Sequence, residues 1–222
     1  MLQDFLRRFK KLSIINYVKV KSYLIENLSL VELYYLNDIW IEEGYTGQLP
    51  EQVSLLKKII KDYKVENVLE IGFNAGVSSD LFLSVTSLDV VSFDIGLHAY
   101  HKFGKSYIDK KFPNRHNLIL GDSKYTIPEY IVSNPRKKFD LIFIDGGHDL
   151  ETAESDLLNC KDLSHNDTIV IMDDTVYEKT MELEWNLGPT NAWLKAMDKK
   201  LINGISSIHF YKGRGMSWGK YS

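Results

Sequence analysis

Val68-Leu69-Glu70-Ile71-Gly72-Phe73-Asn74-Ala75-Gly76-Val77-Ser78-Ser79 is the stretch on which the reading of this chain turns. An apolar run carries an acid near its end, a glycine-bounded turn follows, and a helical pattern opens behind it. In a strand-turn-helix junction of this kind the glycines let backbone approach a ligand closely, and the unpaired amides at the helix start face it. A dinucleotide-binding loop would place Gly-x-Gly-x-x-Gly here, but Glu70 stands at the first glycine position. A carboxylate repels a pyrophosphate and attracts an ammonium group. The junction therefore predicts a cofactor that contains an amine.

Outward from this point, short β-rich runs alternate with helical patterns, the mark of an α/β fold with a mostly parallel sheet. The runs are Val68 to Ile71, Val90 to Asp94, Asn117 to Leu120, Phe139 to Asp145 and Thr168 to Asp173. Nearly all are apolar at every position, as strands covered by helices on both faces must be. Leu150, Ala153, Leu157 and Leu158 recur at helical spacing over 150–160, and Asp149, Glu151 and Glu154 crowd the first turns, where acids suit the helix dipole. Further on, the pattern predicts an irregular stretch over 175–187 and a helix over 190–201. Two last strands, over 205–211 and 215–221, are joined by Lys212-Gly213-Arg214-Gly215 as a hairpin turn. Residues 1–44 read as helical, with Leu30, Leu33, Tyr34 and Ile39-Trp40-Ile41 among the expected buried positions. The expected division is an N-terminal helical extension over 1–45 packed on a core domain over 46–222.

The 222 residues carry 27 Lys+Arg against 30 Asp+Glu, are 44% hydrophobic, and have a formal net charge of -3. That composition excludes a disordered chain, and no apolar run approaches the roughly 18 residues of a membrane span. Near-neutral charge argues against a nucleic-acid partner. Arg7, Arg8, Lys10, Lys11, Lys19 and Lys21 form a basic cluster without a strong matching apolar stripe, so they read as a solvated helix face. A start without a signal-peptide pattern, and a lone Cys160 that cannot form an internal disulfide, together predict a cytoplasmic protein. Cys160 itself reads as a small buried apolar residue at a helix end.

Glu70-x-Gly72-x-x-x-Gly76 after a strand resembles the cofactor motif of class I S-adenosylmethionine-dependent methyltransferases. Asp94 at the end of the second strand, Gly121-Asp122-Ser123 after the third and Asp145 after the fourth fall where that family places its landmarks. The resemblance implies a Rossmann-like seven-stranded sheet in the order 3-2-1-4-5-7-6 with the last strand antiparallel. It also implies S-adenosylmethionine as cofactor, gripped around Glu70, Gly72, Phe73, Asn74, Gly76 and Ser78. By the same match Asp94 serves the ribose and Asp122 with Ser123 the adenine region, with Ile95 and Asp145 also among the cofactor-binding residues and Asp145 a catalytic one. Thr46-Gly47-Gln48-Leu49-Pro50-Glu51-Gln52 resembles the loop that closes over the cofactor's methionine end in the O-methyltransferase branch.

Ile144-Asp145-Gly146-Gly147-His148 and Ile171-Met172-Asp173-Asp174-Thr175 end two neighbouring strands, so Asp145, Asp173 and Asp174 are expected to converge at the sheet edge where ligands bind. Three carboxylates repel unless a cation sits among them, and hard oxygen ligands select Mg²⁺, Mn²⁺ or Ca²⁺. The pattern is similar to that of macrocin-type and catechol-type O-methyltransferases, which implies a divalent cation at Asp145, Asp173 and Asp174 and a base at His148. The competing reading makes the paired acids a helix cap or substrate contacts, and Asp149 either a base or the cap of the helix at Leu150. The other histidines, His98, His101, His116, His165 and His209, show no ligand spacing. Trp185, with Glu182 and Glu184, is expected on a loop that either covers the acceptor or makes a homodimer contact. The expected reaction is methyl transfer to a hydroxyl of a sugar, glycan or other small molecule. The alternatives are a phenolic acceptor and a non-catalytic S-adenosylmethionine-binding partner protein.

Overall fold

A computed structural model describes residues 28–222, so the basic cluster over 7–21 and most of the expected N-terminal extension lie outside the described residues. Seven strands, β1 (Val68–Ile71), β2 (Val90–Asp94), β3 (His116–Leu120), β4 (Phe139–Ile144), β5 (Ser164–Asp173), β6 (Ile202–His209) and β7 (Gly215–Tyr221), form one sheet in the order β3-β2-β1-β4-β5-β7-β6. β1 to β5 run parallel, and β7 lies antiparallel to both β5 and β6. Around it pack α1 (Leu30–Leu36), α2 (Pro50–Asp62), α3 (Val77–Val85), α4 (His101–Lys111), α5 (Ser123–Ser133), α6 (Leu150–Cys160) and α7 (Glu184–Asp198).

The period-two alternation of the strands decides which helix meets which face. Val68, Leu141, Phe143, Ile169 and Ile171 face Tyr34, Leu56, Phe82 and Ile108 of α1 to α4, while Leu69, Ile71, Ile142, Val170 and Met172 face Ile127, Leu157 and Trp193 of α5 to α7. Each such side chain, taken fully out of water, contributes about 1.5–3 kcal/mol. Both faces being covered by helices leaves the strand ends as the open edge of the sheet.

Four local expectations need correction. β3 is an edge strand with a single neighbour, so only His116 is buried and Leu120 is half exposed. Within the described part of the N-terminal region, helix covers only Leu30–Leu36, closed at its start by a Ser29–Glu32 capping box. Asn37 then donates back to the Leu33 carbonyl (2.7 Å), Asp38 takes a left-handed φ of 56°, and the chain leaves the helix with Trp40 74% exposed. On α6 the buried stripe is Ala153, Asp156, Leu157 and Cys160, with Leu158 outside it. Finally, α7 starts at Glu184 rather than 190. Gly188-Pro189 looks like a break in sequence, but Gly188 packs so tightly on the His148 backbone that an added Cβ would lie 2.0 Å from its carbonyl oxygen. Asn186 pins the first turn by accepting from the Leu183 N–H and donating to the Met181 and Gly213 carbonyls.

Candidate active site

The C-terminal ends of β1, β2, β4 and β5 surround a cavity of about 580 Å³, within the usual range for small-molecule sites. Its floor is set by the β1 loop. Gly72 has φ +97°, donates to the Phe93 carbonyl (2.8 Å), and lies so close to the next loop that a Cβ would meet the Asp145 carbonyl oxygen at 1.9 Å. Only glycine fits there. Asn74 and Gly76 also take left-handed backbone, and the resulting turn aims the Asn74 amide at Asp94.

Asp94 accepts from the Asn74 N–H through Oδ2 (2.7 Å) and from the Gly96 N–H through Oδ1 (2.7 Å). An ionised carboxylate offers about four acceptor sites, so the two amides orient it and leave acceptor capacity on a side chain that lines the cavity. This arrangement fits a ribose diol. Ile95, Gly121, Asp122 and Ser123 continue the wall, and Asp122 caps α5 by accepting from the Lys124 N–H (2.9 Å).

Not every residue of the glycine motif reaches the cavity. Glu70 is fully buried beneath the loop, where the hydroxyls of Ser79 and Ser92 donate to its carboxylate, so it does not stand at the cavity wall to meet an ammonium group. Its side chain belongs to the α3 side of the sheet because Glu70 is two residues from Val68. Burial pushes its pKa up, and the hydroxyls of Ser78, Ser79 and Ser92 oppose that shift. Phe73 is 1% exposed and stacks on the His116 ring, Ser78 is buried, and Gly76 lies under the Phe73 ring. These four shape the loop from behind.

At the opposite end, one donor atom each from Asp145, His148 and Asp174 lie within 4.8 Å of one another. His148 Nε2 is 3.1 Å from Asp174 Oδ2, and that hydrogen bond raises the histidine pKa against the effect of burial. Burial and the charges of Asp173 and Asp174 push Asp145 well above the usual carboxylate range. Asp173 is a correction to the expected metal triad. The Gln52 side chain of α2 donates to both its oxygens (2.8 and 2.6 Å), so Asp173 faces α2, and burial raises its pKa to about 7. Asp149 caps α6 by accepting from the Thr152 N–H (2.9 Å), and it also lines the cavity.

Trp185, a sequence candidate expected on a loop, stands in the first turn of α7, with its ring 5.9 Å from that of His148. Several other contributors were not legible in the sequence. Glu43 and Gly44, ahead of the expected closing loop, line the cavity, as does Arg214 from the hairpin turn. Gly188, which holds the His148 backbone, had a sequence signal in Gly188-Pro189, but one that reads as a helix break. The others carry no local signal.

The sheet order and the cavity at the strand ends are those of the Rossmann-like fold of class I methyltransferases. A family model described as a methyltransferase domain matches residues 69–175, the span from β1 to just past β5. An O-methyltransferase from Bacillus cereus, solved with S-adenosylhomocysteine, has a TM-score of 0.69 and 16% identity, with 91% of this chain and 97% of that chain covered. The O-methyltransferase TomG from Streptomyces achromogenes, involved in tomaymycin synthesis, gives 0.65 and 15%, covering 89% and 98%. CalS11, a TDP-rhamnose 3'-O-methyltransferase of calicheamicin biosynthesis, gives 0.57 and 16%, covering 90% of each chain. No curated protein matches the sequence. Among the described residues no helix is long and apolar enough to cross a membrane.

Proposed function

We propose that the protein is an S-adenosylmethionine-dependent O-methyltransferase acting on a hydroxyl of a small molecule, with a sugar as the leading acceptor. The observation that carries the reaction is the His148–Asp174 pair beside Asp145, at the end of the cavity remote from Asp122 and Ser123. When bound, S-adenosylmethionine supplies an activated methyl group on a sulfonium. Asp94 receives the ribose hydroxyls, Asp122 and Ser123 flank the adenine, and the backbone at Gly72 borders the methionine end. His148 accepts the proton of the acceptor hydroxyl, while Asp174 fixes the ring and favours the imidazolium that forms. Trp185 and the backbone of Gly188 hold the imidazole in place, which matters because in-line positioning is most of what an activated donor needs.

Two carboxylates and an imidazole are a chemically suitable donor set for Mn²⁺, and the oxygens alone for Mg²⁺. A divalent cation there would be held by Asp145 and Asp174, with His148 as the third donor, and would make the acceptor hydroxyl more acidic. His148 cannot serve as base and ligand at once, so the two roles give different outcomes. The sugar preference is supported by the flat Trp185 face beside the polar Asp145–His148–Asp174 cluster, and by the likeness to an enzyme named for a deoxysugar nucleotide.

The test combines S-adenosylhomocysteine calorimetry with methyl transfer to matched panels of sugars and phenols. The proposal expects cofactor binding, transfer to sugars, and a loss of about 10²–10⁴-fold in kcat for His148→Ala with cofactor affinity intact. Transfer to phenols alone would sink the sugar assignment. Cofactor binding without transfer to either panel, and with no function lost in His148→Ala, would favour a non-catalytic binding protein. Mn²⁺ binding abolished by His148→Ala would make that residue a ligand in place of a base.

A further inference from the structure

We propose that Arg214 anchors an anionic group, a phosphate or a carboxylate, carried by the methyl acceptor. The proposal rests on the methyltransferase reading and adds the chemical class of the acceptor to it. Arg214 sits between the turn Tyr211–Gly213 and β7, and it lines the cavity together with His148, Asp174 and Trp185. Its neighbour Met216 pairs with Asp173, so it belongs to the β5 side of the cavity, away from Asp94 and Asp122.

Among the described residues its guanidinium makes neither a hydrogen bond nor an ion pair. That is unusual for a partly buried arginine, whose five donors form a rigid planar fork. Arg115 in the same fold shows the ordinary structural use: its guanidinium donates to the carbonyls of Leu83, Thr86 and Leu88. The acids whose charges reach Arg214 are Asp145 and Asp173, but neither makes an ion pair with it, and Asp173 is bound by Gln52.

The position is also built. The guanidinium lies against the backbone at Gly44, where an added Cβ would fall 2.0 Å from Nη2, and Asn74 Nδ2 donates to the Gly44 carbonyl (2.9 Å) to hold that segment in place. Glycine at 44 thus gives the fork its path to the cavity. An unpaired, pre-positioned fork in a ligand cavity is suited to bidentate recognition of phosphate or carboxylate oxygens. An acceptor could then place its hydroxyl at His148 and its anion at Arg214, whose charge already offsets those of Asp145 and Asp173.

The experiment is a calorimetric titration of inorganic phosphate and, separately, acetate into protein saturated with S-adenosylhomocysteine in metal-free, low-salt buffer. Wild type, Arg214→Gln and Arg214→Lys are compared after their melting temperatures are shown to agree. The expected result is saturable one-to-one binding of one of the two anions, which names the group. Affinity should fall at least tenfold in Arg214→Gln and less in Arg214→Lys, which keeps the charge and loses the fork. No saturable anion binding, or equal binding by Arg214→Gln, overturns the proposal. So does a tenfold loss of S-adenosylhomocysteine affinity in Arg214→Gln, which would assign the fork to the cofactor's own carboxylate. Failure of S-adenosylhomocysteine to bind wild type would overturn the methyltransferase reading instead, and the anion titration repeated without it then decides the Arg214 site separately.

Discussion

Gly72→Ala tests the contact that places the two halves of the site. The new Cβ would fall 1.9 Å from the Asp145 carbonyl oxygen and 2.7 Å from its carbon, at a backbone φ of +97°. Neither partner can rotate away, because both contacts are backbone and both loops are tied into the sheet by Gly72 N–H to Phe93 and Asp145 N–H to Ile71 hydrogen bonds. Left-handed strain on alanine costs about 1–3 kcal/mol, and forcing the loops apart about 1–3 kcal/mol more. In a chain of 222 residues each kcal/mol lowers the melting temperature by about 2–4 °C, so a fall of at least about 4 °C is expected by calorimetry. Gly96→Ala is the control: φ is +77° there, but the nearest atoms are 3.6 Å away, so only the strain is expected and the loss should be about half as large. Because the two loops forced apart carry Asn74 and Asp145 respectively, S-adenosylhomocysteine affinity should fall more than tenfold in Gly72→Ala. An unchanged melting temperature together with unchanged affinity would refute the reasoning.

Gln52→Leu removes the donor that holds both Asp173 oxygens, and leaving that buried carboxyl without its partner should cost about 1–3 kcal/mol in urea unfolding; a neutral result would mean that α2 does not depend on the contact. Asp94→Asn keeps the size but loses the charge that favours the ribose hydroxyls and the two backbone amides, so S-adenosylhomocysteine binding should weaken at least tenfold in calorimetry. Asp156 is fully buried, and burial raises its pKa to about 7 against the opposing effect of the Ser123 hydroxyl. Its folded state therefore binds a proton that the unfolded chain has released, and the stability this provides is present near pH 4 and lost as pH rises to about 7. Asp156→Asn should gain stability relative to wild type across that window in urea unfolding, and parallel pH profiles for the two proteins would contradict the assignment.

What could be read from the sequence alone follows from periodicity and from residues whose backbone demands are local. Alternation within β1, β4 and β5 implies a sheet covered on both faces, and Gly72 and Gly76 mark a turn that only such residues form cheaply. The acids after successive strands converge because parallel strands bring their C-terminal ends to one edge, so Asp94, Asp122, Asp145 and Asp174 reach the cavity as expected. Side-chain direction was harder to read: Glu70 belongs to the motif yet points to the α3 side, since its place in the strand pleat decides its face. Asp173 and Asp174 are adjacent in sequence, but extended backbone followed by a left-handed φ of 56° turns one toward Gln52 and the other toward His148.

Only the tertiary structure could join Gln52 to Asp173, seat Arg214 against Gly44, or bring Gly188 onto the backbone of His148. Those partners are far apart along the chain, and nothing in the residues flanking any one of them encodes the other. Local sequence determines which elements form and which loops face a ligand, whereas the packing of whole helices and hairpins decides which distant side chains meet there.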